Sequence, residues 1–348
     1  MFKDNLNQIF EEASIQEALT KLEAGALKQT LFVVDKDQIL LGTITDGDIR
    51  RALLNGQNLS ESIKKATNYN SFFVSKATYT PETFQECKEL KLKIIPLVDE
   101  NKKLLNLLQL SDFFSFLPVQ AVIMAGGEGI RLRPLTQETP KPMLVVGDKP
   151  IIEHNIDRLK KFGIQDINIS LKYLGHKISD YFGTGDKKEI KISYTNETKP
   201  LGTLGSIKLI KEINEEVILV MNSDLLTNID YNEMYTEFIK SSSDMCVATT
   251  SYKVEIPYAV LETKNGCIQS IIEKPTYDYP SNAGIYLIKK SCLQYIQENT
   301  SFNATDLIEI LISKGKKVSH YPILGYWLDI GKHDDFNKAK KDIHHLKL

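Results

Sequence analysis

Four charged side chains and one glycine-rich turn stand out for what their types and spacing could do. Ala121-Val122-Ile123-Met124 is an apolar run that leads into Ala125-Gly126-Gly127-Glu128-Gly129, so a buried strand is expected to end in a turn of glycines. Glycine lets a backbone fold sharply and aim several N–H groups at one point, which suits the phosphates of a nucleotide. Arg131 follows two residues on and offers a rigid fork to phosphate oxygens. Lys141, held in Thr139-Pro140-Lys141-Pro142, adds a point charge on a stiffened turn. Asp224 closes the run VILVMNSD, at the expected C-terminal edge of a central strand, where open α/β sheets bind ligands. Asp329 stands beside another strand end in Tyr326-Trp327-Leu328-Asp329-Ile330-Gly331. Taken singly, a glycine turn can be an ordinary connection, and either aspartate can cap a helix. No G-K-[ST] follows the glycines, which excludes a P-loop, and their spacing does not match the dinucleotide fingerprint. No Ser-His-Asp or Cys-His arrangement is evident.

Holding such residues together takes a framework of strands and helices. From Gln120 onward the sequence predicts strands at AVIMA, INISL, IKISYT, VILVMNSD, DMCVATTSY, AVLET, SIIEK, AGIYLI and KVSHYPI. Helices are expected from near Ile152, Leu204, Tyr231, Ser291 and Thr305, with a lysine-rich helix at the end. Strands alternating with helices favour a mainly parallel sheet covered on both faces. Residues before the proline at Leu117-Pro118 have a different texture, and proline there marks a joint between domains at 1–118 and 119–348. The first region reads as two copies of helix, strand, turn, strand, helix. Ser14 caps the first helix, and Thr80-Pro81 opens its counterpart in the second copy. LFVVDKD then matches IIPLVDEN, and ILLGTITDGDIR matches KLLNLLQLSDFF.

A chain of 348 residues is comfortable for two domains. Its net charge of −2 supplies no basic field for nucleic acid or an anionic membrane. Cys87, Cys246, Cys267 and Cys292 contain no C-x-x-C pair, so they read as packing residues in a reducing compartment. No signal-peptide core and no membrane-length apolar run occur, and the expected location is cytoplasmic.

The string GGEGIRLRPLTQETPKP resembles the signature of the sugar-1-phosphate nucleotidyltransferase family, which includes mannose-1-phosphate guanylyltransferases. Ile130 departs from it, because the family usually has threonine before the arginine. The resemblance implies an α/β fold with a Rossmann-like, mainly parallel mixed sheet. It also implies an enzyme that joins a nucleoside triphosphate and a sugar 1-phosphate into an NDP-sugar and pyrophosphate. Ala125, Gly126, Gly127 and Gly129 would bind the nucleotide, with Arg131 and Lys141 catalytic. Asp224 and Asp329 match the pair that holds one Mg2+. Glu197, in Glu197-Thr198-Lys199-Pro200-Leu201-Gly202-Thr203, takes the position that meets the base edge, with Gly202 and Thr203 in the same loop. A carboxylate only accepts hydrogen bonds, and guanine offers two adjacent donors, so GTP is favoured over UTP, dTTP or CTP. Ile272-Glu273-Lys274-Pro275 and Asn282-Ala283-Gly284 resemble the sugar-binding stretches, with Glu273, Lys274 and Asn282 as contacts. Ala259 stands where the family often has glycine, which leaves glucosamine, mannose, glucose and heptose phosphates open. Analogy favours glucosamine, for surface-sugar or nonulosonate synthesis.

The repeat in residues 1–118 resembles a CBS-domain pair, regulatory or dimerising. LGTITDGDIR carries Thr45 and Asp48 at the positions that contact an adenine nucleotide in that family. Gln109, Ser111 and Asp112 replace that motif in the second copy, so one competent site per chain is expected. Asp48 could instead simply cap its helix. A catalytically inactive nucleotide sensor is the competing function, and a homo-oligomer is expected.

Overall fold

The computed structural model describes residues 7–24, 30–75 and 81–346, and divides into two compact units, Met1–Phe116 and Leu117–Leu348. Thr80 lies outside the described residues.

In the first unit the order is β1 (Gln8–Phe10), α1 (Ile15–Ala24), β2 (Thr30–Val34), β3 (Leu40–Thr45), α2 (Asp46–Leu54), β4 (Val74–Ser75), α3 (Pro81–Glu89), β5 (Ile94–Val98) and β6 (Leu104–Gln109). Each copy makes a three-stranded sheet, β1-β2-β3 and β4-β5-β6, with one parallel and one antiparallel pairing. The repeat in sequence is therefore a repeat in space. The copies meet reciprocally: the Leu40 N–H donates to Lys102 O at 2.9 Å and the Leu104 N–H to Gln38 O at 3.0 Å. Phe32, Val34, Leu40, Val98 and Leu104 share one core across that contact.

The copies differ at their ends. Thr45 and Asp48 form a capping box that starts α2, nine residues long. Gln109 takes the place of Thr45 in the second copy and makes no side-chain cap, and only a single 3-10 turn, Leu110–Asp112, follows. The expected second helix is reduced to that turn, where no side chain caps the start as Thr45 does in the first copy.

The second unit runs β7 (Val119–Ala125), β8 (Val145–Val146), β9 (Lys149–Pro150), α4 (Ile151–Lys161), β10 (Asp166–Leu171), α5 (Gly175–Phe182), β11 (Lys191–Asn196), β12 (Val217–Asn222), β13 (Leu225–Thr227), α6 (Tyr231–Lys240), β14 (Met245–Glu255), β15 (Val260–Lys264), β16 (Cys267–Ile272), β17 (Thr276–Lys289), α7 (Ala304–Ser313), β18 (Val318–Pro322), β19 (Trp327–Asp329) and α8 (His333–Asp342). Seven strands form one sheet in the order β11-β10-β7-β12-β17-β14-β18. Only β17 runs against the rest, so the sheet is mixed and mainly parallel. The central run VILVMN of β12 is almost wholly apolar because both faces of the sheet are covered, by one cluster around Ile123, Ile156 and Leu219 and another around Val122, Ile218 and Leu307. Helices expected near Leu204 and Ser291 are 3-10 segments, Gly205–Leu209 and Lys290–Tyr295. No helix among the described residues is long and apolar enough to cross a membrane.

Candidate active site

The glycine turn leaves β7, next to β12 at the middle of the sheet, and the two strands deliver the turn and Asp224 to the same edge. Ser223 N–H donates to Met124 O at 3.2 Å, stitching the two exits together. Asp329 arrives from far along the chain because β19 pairs antiparallel with β13, Leu225 opposite Asp329. The Ile330 N–H then donates to Asp224 O at 3.1 Å, so the backbones carrying the two aspartates are directly bonded.

Lys141 stands between them. Its Nζ donates to Asp224 Oδ2 and lies 3.8 Å from Asp329 Oδ1. The residue is buried although it is a lysine, and two nearby carboxylates offset the cost of that burial. Gly129 makes the approach possible. Its φ is +63°, and a Cβ there would stand 3.0 Å from Lys141 Cβ and 3.1 Å from Thr136 Cγ2. Arg131 completes the cationic side, lying against Gly331, where a Cβ would sit 3.3 Å from a guanidinium nitrogen.

The carboxylates are not fully partnered. Asp224 Oδ1 and Asp329 Oδ1 are both buried and accept no hydrogen bond. Each such atom costs about 1–3 kcal/mol. Burial, and then the charge of Asp224, push the Asp329 carboxyl above its usual range, against the pull of Lys141 and Arg131. Two buried carboxylate oxygens that accept no hydrogen bond fit a hard divalent cation, which prefers oxygen ligands and completes its shell with phosphate and water. No group of three or more His, Cys, Asp and Glu side chains able to hold a metal occurs among the described residues.

Asn155 was not singled out from the sequence. It is buried on α4, and its Nδ2 donates to Leu225 O at 2.9 Å and to Ser223 O at 3.5 Å. It thus holds the carbonyls on both sides of Asp224. The signal in the sequence was weak, because the buried face of α4 mixes Ile151, Ile152, Ile156 and Leu159 with His154 and Arg158 as well as Asn155.

Glu197 lies at the end of β11 beside the glycine turn: a Cβ on Gly126 would stand 3.1 Å from its Oε1. Its Oε1 accepts from the Ser170 hydroxyl at 2.5 Å and its Oε2 from the Leu201 N–H at 3.2 Å. Each oxygen keeps a lone pair for a further donor. Gly127 is exposed, and a Cβ there would meet nothing.

Gly202 and Thr203 are fastened to the start of α7. The Ala304 N–H donates to Thr203 Oγ1 at 2.7 Å, and a Cβ on Gly202 would stand 2.7 Å from Asn303 Oδ1. Asn282 is exposed, and its Oδ1 accepts from the Gly284 N–H at 2.9 Å. Gly284 packs so closely on Asn222 that a Cβ would come within 2.6 Å of its amide. Glu273 and Lys274 are exposed just past β16, and Ala259 is half-buried just before β15. The structure thus joins Arg131, Lys141, Asp224 and Asp329 in one cluster and leaves Ala259, Glu273 and Lys274 on a separate projection. In the first unit Thr45 and Asp48 bond to each other, with Thr45 Oγ1 donating to Asp48 Oδ2 at 2.6 Å and Arg51 paired to Asp48 Oδ1 at 2.5 Å.

Comparison with known proteins bears on this arrangement. The Nucleotidyl transferase family matches residues 120–345, and the CBS domain family matches residues 3–55. Mannose-1-phosphate guanyltransferase beta-A of Xenopus laevis is 29% identical over 226 residues, 63% of this chain and 62% of the relative. The catalytic subunit beta of mannose-1-phosphate guanylyltransferase from Drosophila melanogaster is 31% identical over 226 residues, 62% of this chain and 60% of the relative. The chain therefore spans about three fifths of the length of these curated relatives. A Bacillus anthracis protein assigned as a glucose-1-phosphate thymidylyltransferase, solved with sucrose, superimposes with a TM-score of 0.54 at 26% identity, covering 66% of this chain and 97% of its own. HddC from Yersinia pseudotuberculosis gives 0.50 at 28% identity, covering 64% and 99%.

Proposed function

Because the chain belongs to the nucleotidyl transferase family and carries a CBS domain ahead of that region, we propose that it transfers a nucleotidyl group from a nucleoside triphosphate, GTP by preference, to a sugar 1-phosphate with Mg2+, releasing pyrophosphate. The observation that carries this reading is the pair of buried oxygens on Asp224 and Asp329 that accept no hydrogen bond, set against Lys141 beside the glycine turn.

A sugar phosphate is already a nucleophile at neutral pH, so no protein base or covalent intermediate is required. The chain's work is alignment and charge cancellation for an in-line attack at the α-phosphorus. The turn from Ala125 to Gly129 offers backbone donors, and open space at Gly127 admits phosphate close to the main chain. Arg131 holds phosphate oxygens, and Lys141 neutralises their charge. Asp224 and Asp329 would hold a magnesium ion, which would supply neutralisation of phosphate charge. Gly202 and Thr203 support the base-binding loop through their bonds to α7.

Glu197 carries the preference for GTP. Ser170 and the Leu201 N–H fix its two oxygens side by side, leaving acceptor capacity for the two adjacent donors of guanine. Ala259, Glu273, Lys274 and Asn282 are assigned to the sugar phosphate. Glu273 can accept from an amino group, which favours glucosamine 1-phosphate; the names of the relatives favour mannose 1-phosphate as the second choice. In the first unit, the motif supports an adenine nucleotide at Thr45 and Asp48, while their mutual cap supports a structural role. The reaction fits a cytoplasmic protein.

Pyrophosphate release across four triphosphates and a panel of sugar 1-phosphates, with product mass measured, tests the assignment. GTP should lead, and Glu197→Gln should move the preference toward UTP or dTTP by about 5- to 100-fold, the range set by one unpaired buried polar edge. Unchanged nucleotide ratios in that variant would remove the argument for guanine.

A further inference from the structure

We infer that Lys141 is an internal competitor for the metal site: its ammonium holds the carboxylates of Asp224 and Asp329, and a divalent cation gains them only as Lys141 lets go. The competition presupposes the metal reading of the two aspartates and adds an order of events to it.

Ammonium and cation would draw on the same two side chains. Lys141 Nζ donates to Asp224 Oδ2 and stands 3.8 Å from Asp329 Oδ1. That Asp329 Oδ1 is one of the two buried oxygens that accept no hydrogen bond. The other, Asp224 Oδ1, belongs to the carboxylate that Lys141 grips. A magnesium ion at its usual distance of about 2.0–2.1 Å from Asp329 Oδ1 would lie within about 6 Å of the ammonium, whichever side it took. Lys141 is buried, and charges this close are screened little in such a place. Two carboxylates match the charge of one dication, but with the ammonium in place only one negative charge is left over.

Lys141 is fixed at its root and free at its head. Pro140 and Pro142 flank it, and its carbonyl accepts from the Leu144 N–H at 3.1 Å. Gly129 packs so closely that a Cβ there would stand 3.0 Å from Lys141 Cβ. The root therefore borders the glycine turn, where the triphosphate is proposed to lie. Beyond the root, a flexible stem carries three donors. A triphosphate is a stronger anion than one carboxylate, so it would draw the ammonium across and leave both aspartates to the cation. Nucleotide and cation would then raise each other's affinity, as linkage requires, and the cation alone would bind weakly.

Mn2+ titration of the full chain without nucleotide, read by electron paramagnetic resonance, tests this without turnover. Lys141→Met keeps most of the stem and drops the charge. It should bind Mn2+ about tenfold more tightly than the natural chain, or better, the lower end of what a neighbouring charge does to a carboxylate's affinity for a proton. Arg131→Met removes a like charge whose guanidinium lies against Gly331, and should change the affinity far less. Equal gains in the two variants, or no gain in Lys141→Met, would overturn the competition and leave the metal reading standing. Mn2+ bound by neither the natural chain nor Lys141→Met would remove the metal reading and the competition with it. In the natural chain, saturating Mn2+ should speed acylation of Lys141 about tenfold relative to Lys149, the worth of a lost hydrogen bond to a charged group. Lys149 is paired elsewhere, to Asp157. Unchanged acylation would also overturn the competition, and this measurement decides the matter should Lys141→Met fail to fold.

Discussion

The floor of the site, where β12 and β19 deliver Asp224 and Asp329, and the arm that β14 and β17 extend beyond the seven-stranded sheet solve opposite problems. On the floor, position is fixed from several directions at once. Asp224 is held through its own carbonyl by Ile330, through its neighbours' carbonyls by Asn155, and through its carboxylate by Lys141. On the arm, Glu273 and Lys274 are exposed just past the two-stranded β15–β16 hairpin. The lesson is that the charges proposed to meet the triphosphate are anchored where water is scarce and displacement is expensive, whereas those proposed for the variable sugar phosphate sit on an element that can be rebuilt without disturbing the sheet.

Three variants sharpen or break that contrast. Asp224→Asn should lower turnover by about a thousandfold or more, the upper range for loss of one preorganised electrostatic group, while far-UV dichroism and melting remain those of a folded protein. A well-folded, active variant would end the assignment of the floor. Asn155→Leu should weaken divalent-metal binding by about 10- to 100-fold, the usual cost of losing a support behind a ligand. Mn2+ titration by electron paramagnetic resonance reads this without any turnover, and unchanged affinity would show that the amide only packs. Lys274→Ala should have the smallest effect, raising KM for the sugar 1-phosphate by about tenfold, as for one solvent-facing phosphate contact, with nucleotide affinity unchanged. A loss of nucleotide binding in that variant would mean that arm and floor are not separable.

Much of this was readable along the chain because local rules dominate. The glycine turn follows from its residues, since φ at Gly129 is positive and a side chain there would strike Lys141. Thr45 and Asp48 make their capping box within four residues, and Gln109 loses it in the second copy. Strand runs such as VILVMN were recognisable as buried because both faces of the sheet are covered. The short 3-10 segments at Gly205 and Lys290 were harder to see, because their length depends on neighbours such as Phe302, not on their own periodicity.

By itself the sequence determined which residues can carry charge to a phosphate, where strands must end, and the order in which those ends occur. Only the tertiary structure decided that Asp329, 105 positions after Asp224 in the chain, lies on a strand paired to Leu225, that Asn155 holds the carbonyls on both sides of Asp224, and that Ala259, Glu273 and Lys274 lie exposed or half-exposed around the β15–β16 hairpin. Backbone pairing between distant segments sets those relations, and no propensity or spacing along the chain encodes the distance that it closes.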